Sequence, residues 1–280
     1  FFDGELAHTN LGGLGPDVGS RPEIRYVNVG MVATAGSDFR FDLVLSNRTA
    51  YVADDASLNA ISGSFAQLNF AADTRVTLRV QVFPSCCSTT NCKACDVLSG
   101  SERDACYADG GCCCFGVVCT NSSCCTGSAR ESKRLSYACD GMDTPLVLPP
   151  SAMVGLSIYD LDSGAEGEYT EQVIVNGFSY FKAPLRSSTG HDVVSELAVD
   201  RERGTFTSIA LGTSADNPSD PASLTDAQAA RSVQVFFAAE DGAVDATFAI
   251  TYHGADPSPS GRNILFAGDS SLCNPPPPMP

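Results

Sequence analysis

Outside one cysteine-rich stretch, the apolar positions of this chain recur every second residue, the spacing at which side chains share one face of a β-strand. From Arg75 to Phe83, Val76, Leu78, Val80 and Val82 alternate with Arg75, Thr77, Arg79 and Gln81, which predicts a half-buried strand with the first set inward. From Phe39 to Ser46 the same rule puts Phe39, Phe41, Leu43 and Leu45 on one face and Arg40, Asp42 and Ser46 on the other. Shorter runs predict strands at Ile24 to Val29, Phe65 to Phe70, Met153 to Tyr159, Glu171 to Val175, Thr205 to Leu211, Ser232 to Ala238, Val244 to Tyr252 and Asn263 to Phe266. Turn formers such as Gly15-Pro16-Asp17, Asn176-Gly177, Asn217-Pro218 and Asp241-Gly242 separate them. One segment reads as a helix: Ser223 to Arg231 is Ala-rich, begins with capping residues and carries Gln228 three positions after Thr225. Two turns covering one end of the sheets are expected. The pattern predicts a mainly β fold, an antiparallel β-sandwich of jelly-roll-like type with a disulfide-rich loop insertion and one short helix.

From Ser85 to Asp143 the periodicity is lost, and twelve cysteines occur: Cys86, Cys87, Cys92, Cys95, Cys106, Cys112, Cys113, Cys114, Cys119, Cys124, Cys125 and Cys139. Cys273 is the thirteenth. So short a segment forms no apolar core of its own, and disulfides replace one. Such density belongs to an oxidising, extracellular compartment; a reducing cytosol would require bound metal to neutralise the thiolates. Cys92-Lys93-Ala94-Cys95 has the spacing of a zinc or redox site, but the block holds no histidine and many competing thiols, so a structural disulfide is expected. Adjacent pairs such as Cys86-Cys87 bridge to separate partners, because neighbouring Cβ atoms rarely meet disulfide geometry. An odd number leaves one thiol over. Either Cys273 stands free or joins another subunit, or it ties the tail back and a different cysteine is left, which a buried free thiol would also satisfy.

The block interrupts the strands directly after the best of them, so residues 1–84 and 144–272 are expected to build one sandwich. Residues 85–143 are then a stapled insertion and residues 273–280 a proline-rich arm in polyproline II conformation. The alternative is two domains flanking a small cysteine-rich module.

The 280 residues carry a formal net charge of −16, which repels nucleic acid and anionic lipid while leaving Ca²⁺, basic proteins and neutral glycans acceptable as partners. No run approaches the roughly 20 apolar residues that a membrane helix needs. Phe1 to Ala7 lacks an initiator Met and the regions of a signal peptide, so the chain reads as a mature, secreted product.

Candidate chemistry is sparse. His8, His191 and His253 are far apart, no HExxH, GxSxG or phosphate loop occurs, and no catalytic residue is expected; the chain reads as a non-enzyme. Asp160, Asp162, Glu166 and Glu168 fall in a Gly-containing turn after a strand, where hard oxygen ligands on a loop suit calcium, the one candidate cofactor besides glycans. Asn47-Arg48-Thr49 and Asn121-Ser122-Ser123 are N-glycosylation acceptors. Phe1, Phe2 and Leu6 could add an edge strand to a neighbour or tuck into their own core, and Pro275, Pro276, Pro277 and Pro278 could lie along the next subunit.

Four phrases carry a resemblance: Leu11-Gly-Gly-Leu-Gly-Pro-Asp17, Phe41-Asp-Leu-Val-Leu-Ser-Asn47, Tyr159-Asp-Leu-Asp162 and Asp216-Asn-Pro-Ser-Asp-Pro221. They resemble recurring phrases of secreted proteins from aquatic microalgae and other microbes, and the chain is similar to protomers of helical extracellular glycoprotein fibrils. The resemblance implies a structural subunit of such a fibril, self-associating head to tail at a cell surface or in a matrix, with no catalytic residues to carry over. The alternative is a secreted Ca²⁺-dependent carbohydrate-binding module. That reading asks for aromatic platforms, whereas the sequence has no Trp.

Overall fold

The computed structural model describes residues 5–34, 37–84, 113–114, 117–118, 145, 153–164, 166–212, 217–238, 243–256 and 258–270. Its strands are β1 (Glu5–Thr9), β2 (Glu23–Thr34), β3 (Ser37–Asn47), β4 (Ala60–Ser62), β5 (Phe65–Phe70), β6 (Thr74–Pro84), β7 (Cys113–Cys114), β8 (Val117–Val118), β9 (Met153–Tyr159) and β10 (Tyr169–Val175). After these come β11 (Tyr180–Lys182), β12 (Leu197–Asp200), β13 (Thr205–Ser208), helix α1 (Asp226–Ala230), β14 (Val233–Ala238), β15 (Ala243–Tyr252) and β16 (Arg262–Ser270).

Two antiparallel sheets hold nearly all of them. One has eight strands in the order β1-β2-β3-β6-β15-β10-β13-β12, the other six in the order β11-β14-β9-β16-β5-β4, and β7 pairs with β8 apart from both. Within the larger sheets, β5-β16-β9-β14 face β6-β15-β10-β13, so successive strands repeatedly change sheet. This interleaving matches the strand order of a jelly roll. The expected mainly β, antiparallel fold is therefore present, with β1 to β3 extending one sheet and β4 and β11 flanking the other.

Alternation explains which face is buried. Val76 and Leu78 of β6 are fully buried and Val82 nearly so, while Thr77 and Arg79 look outward to Thr247 and Asp245 of β15. From the facing sheet come Leu68, Ile158, Val235 and Phe266. One continuous core thus draws on strands before and after the cysteine-rich stretch, and the flanks close on each other. Truncating a fully buried aromatic such as Phe206 in a core of this kind costs about 3–5 kcal/mol.

Helix α1 is shorter than expected, five residues, but starts as the sequence indicates: Thr225 accepts from the Gln228 N–H and the Gln228 side chain accepts from the Thr225 N–H. Its place differs from expectation. Leu224 and Ala229 pack with Phe65, Tyr159 and Leu265 in a second small core, so the helix covers the outer face of the six-stranded sheet and not an end of the sandwich. The physical reason is that Leu265 and Tyr159 alternate outward from strands whose other face is already buried, and they need an apolar cover.

Candidate functional site

Three regions carry features that a plain sandwich does not need. The first is the β2–β3 hairpin. From Ile24 to Tyr26, β2 is flanked by β1 and β3, and β3 is flanked by β6 from Phe41 to Asn47. The pairing of β2 with β3 then slips between Tyr26 and Gly30, a bulge that bends the strand and renews its twist. Beyond it, Gly30 to Thr34 pair with Phe41 to Ser37 as a two-stranded ribbon. Among the described residues, β1 reaches only to Val27 and β6 only to Phe41, so both edges of the ribbon lack a strand partner there.

The second region is a buried charge cluster at the sandwich end where β9 leads to β10 and β15 leads to β16. Arg262, the first residue of β16, donates through Nε to Glu171 Oε1 at 2.6 Å and through Nη2 to Asp162 Oδ1. Asp162 N–H donates to Glu171 Oε2 at 3.1 Å, and the guanidinium lies 5.3 Å from the centre of the Tyr169 ring. Glu171 sits on an inward position of β10 and is wholly buried. That burial pushes its pKa up to about 8, with the Asp162 charge acting in the same direction and Arg262 offsetting only part of the rise. Burial would lower the pKa of Arg262, but Glu171 and Asp162 outweigh it and hold the guanidinium above its usual range. Gly212 packs so close that an added Cβ would stand 1.7 Å from Asp162 Oδ2. The geometry is that of a structural clamp joining two end loops.

The third region is a cavity of ≈ 530 Å³ on the outer face of the six-stranded sheet. Ser157 of β9 and Gln234 of β14 meet on its floor, joined by a 2.9 Å hydrogen bond from Gln234 Nε2 to Ser157 Oγ. Segment 184–193 forms one wall, and Pro221 and Leu224 stand on the other side. The wall is fastened to α1: Ser187 donates to Asp226 Oδ1, Thr189 donates to the same oxygen, and His191 Nδ1 lies 3.2 Å from Oδ2. These bonds, that from Ser187 first, pull the Asp226 pKa down to about 2. Serine and histidine here both address one carboxylate. A nucleophilic triad needs the histidine between them, so this is a fastening and not a catalytic relay.

Comparison with protein-family models, curated proteins and solved structures returned no match. The fold class therefore rests on strand order alone, and the reading of function on the three regions above.

The sequence-derived candidates distribute unevenly over them. Asp160 and Asp162 are buried, with Asp162 bound to Arg262 and to the Gly164 N–H, while Glu166 is exposed and its N–H donates to Glu168 Oε2. Backbone donors, from Glu168 itself and then Glu166, lower the Glu168 pKa. Among the described residues no group of three His, Cys, Asp or Glu side chains could hold a metal ion. Asn47 ends β3 beside an exposed turn, its Nδ2 donating to Thr49 O at 2.8 Å. Leu6 packs against the core of its own chain. His8 is buried beside Glu23, and His253 Nε2 lies 2.8 Å from Thr170 Oγ1. The backbones of Cys113 and Cys114 are seen in β7. All other cysteines, Asn121, Phe1, Phe2 and Pro275 to Pro278 lie outside the described residues, so the disulfide and tail assignments stay expectations.

Sequence reasoning missed the Arg262 clamp and the cavity. Arg262 is 91 and 100 residues from its two carboxylates, beyond any local pattern. The cavity comes from loops without periodicity.

Proposed function

We propose that the chain is a structural subunit of an extracellular fibril, adding to its neighbours through strand edges. The observation that carries this reading is the β2–β3 ribbon. A two-stranded ribbon is marginally stable alone in water, and edges that no strand among the described residues occupies are templates for another strand. Elsewhere the sheets end in short strands among the described residues: β1 has five residues, β12 four, β11 and β4 three each. Short edges of that kind discourage pairing. A ribbon on one subunit meeting a different surface on the next makes a contact that need not close on itself, and repetition of such a contact yields a filament. The resemblance drawn from the four sequence phrases points the same way.

The test uses the full chain with Val32→Lys and Phe39→Lys together, which place charge on a register pair of the ribbon. Negative-stain electron microscopy and sedimentation are expected to show fibrils for the parent and dispersed subunits with unchanged circular dichroism for the variant. Fibrils of the same length and number in both would overturn the reading. Truncation of residues 1–10 is a poorer test, because His8, Thr9 and Asn10 are buried in the fold.

A further inference from the structure

The cavity on the six-stranded sheet has a charge balance at odds with the rest of the chain. Acidic residues outnumber basic ones by 33 to 17 overall. Around this cavity, however, stand Lys182 and Arg186 with Asp192 as the one acid of the lining, His191 being engaged by Asp226 in the wall. Lys182 and Arg186 are exposed, and among the described residues neither has a carboxylate partner; the Lys182 ammonium instead lies 5.0 Å from the centre of the Phe236 ring. In a chain with acid to spare, two cations beside one cavity with no carboxylate partner among the described residues mark a place where negative charge arrives from outside.

The remaining surface narrows the ligand. A volume of ≈ 530 Å³ lies within the usual range for small-molecule sites. The floor is an amide and a hydroxyl, whereas Pro184, Leu185 and Val193 on one side and Leu224 on the other are apolar. A ring with C–H faces and hydroxyl edges matches both, which a compact inorganic anion does not. We infer that this cavity binds a pyranose sugar bearing an acidic group, carboxylate or sulfate, with Lys182 and Arg186 on the acid and the Ser157–Gln234 pair facing the ring hydroxyls.

The inference is independent of the assembly reading, since the ribbon belongs to the other sheet. It differs from a calcium-dependent lectin in that the protein's own cations meet the sugar acid. The loop clasp at Asp226 gives the site a fixed wall, so little ordering of that segment opposes binding.

Isothermal titration of the full chain with methyl glucuronide, methyl galacturonide, galactose 6-sulfate and the neutral methyl glycosides tests it. Saturable binding is expected for at least one acidic sugar, unchanged by EDTA and weakened by salt; the uronate and sulfate arms show which acid is preferred. Lys182→Met and Arg186→Gln, surface changes that leave the melting curve in place, are each expected to weaken binding about ten-fold. Binding of neutral sugars as tight as acidic ones, loss of binding in EDTA, or acidic-sugar affinity untouched by both substitutions would each overturn the assignment. Absence of binding by every acidic sugar would do so as well.

Discussion

The near and far halves of the β2–β3 hairpin are built from the same two strands and meet opposite fates. In the near half, Ile24, Tyr26, Leu43 and Leu45 are buried in the core, and Arg25 on the other face donates to Asp42 at 2.8 Å with its guanidinium 5.6 Å from the Phe83 ring centre. Strands β1 and β6 complete its hydrogen-bond ladders. In the far half, past the bulge after Tyr26, the described chain supplies no flanking strand. Among the described residues, what separates the halves is neighbouring backbone. A strand becomes structural when both its edges and a face are occupied, and it is available for partners when they are not.

The largest effect that would sharpen this contrast is expected in the near half. Asp42→Ala leaves the Arg25 charge buried without its partner and is expected to cost about 3–5 kcal/mol in urea unfolding. A loss below about 1 kcal/mol would mean that the near half is no more committed to the fold than the far half.

The Arg262 clamp offers a second fully internal comparison, read through pH. Glu171 has a folded pKa of about 8 against an unfolded value near the ordinary 4.5. The folded state thus keeps a proton that the unfolded state gives up, and its stabilisation is complete below about pH 4.5 and lost as pH rises through 8. Each pH unit on that slope is worth about 1.4 kcal/mol at most. The melting temperature is expected to fall between pH 5 and 8, and Glu171→Gln to flatten that fall; an identical slope in both proteins would place the titration elsewhere.

Smaller still is the cap of α1, which holds the cover over the six-stranded sheet. Thr225→Ala removes one half of the capping box and is expected to cost about 1 kcal/mol, read from the denaturation midpoint. The least effect on subunit stability belongs to the far half of the hairpin, where Val32→Lys with Phe39→Lys should stay within about 0.5 kcal/mol of the parent while removing assembly. Destabilisation as great as that of Asp42→Ala would show that the ribbon is part of the core after all.

Much of the fold was legible because alternation is a local property. The runs at Phe65–Phe70 and Met153–Tyr159 end where the strands end, and the Thr225 and Gln228 pair marked the start of α1. Strands β4, β11 and β12, three or four residues long, are too short for a period to register. Asp42 reads as a solvent-facing residue by alternation, yet it is fully buried, since Arg25 from the neighbouring strand meets it there. The acidic turn at Asp160 to Glu168 was visible as a charged loop, but Arg262 as the partner of Asp162 was not, because a long-range ion pair leaves no trace in local spacing. The cavity was hidden for the same reason: Lys182, Arg186 and Gln234 come together only through the fold. No helix among the described residues is long and apolar enough to cross a membrane.

The most direct measurement is hydrogen exchange by mass spectrometry on peptides spanning Gly30 to Phe41, compared between dispersed subunits and assembled material. Fast exchange in the subunit with strong protection after assembly, while peptides covering Leu43 to Asn47 stay protected in both, is the predicted result. Equal exchange of the ribbon in the two states would contradict strand-edge addition as the joint between subunits.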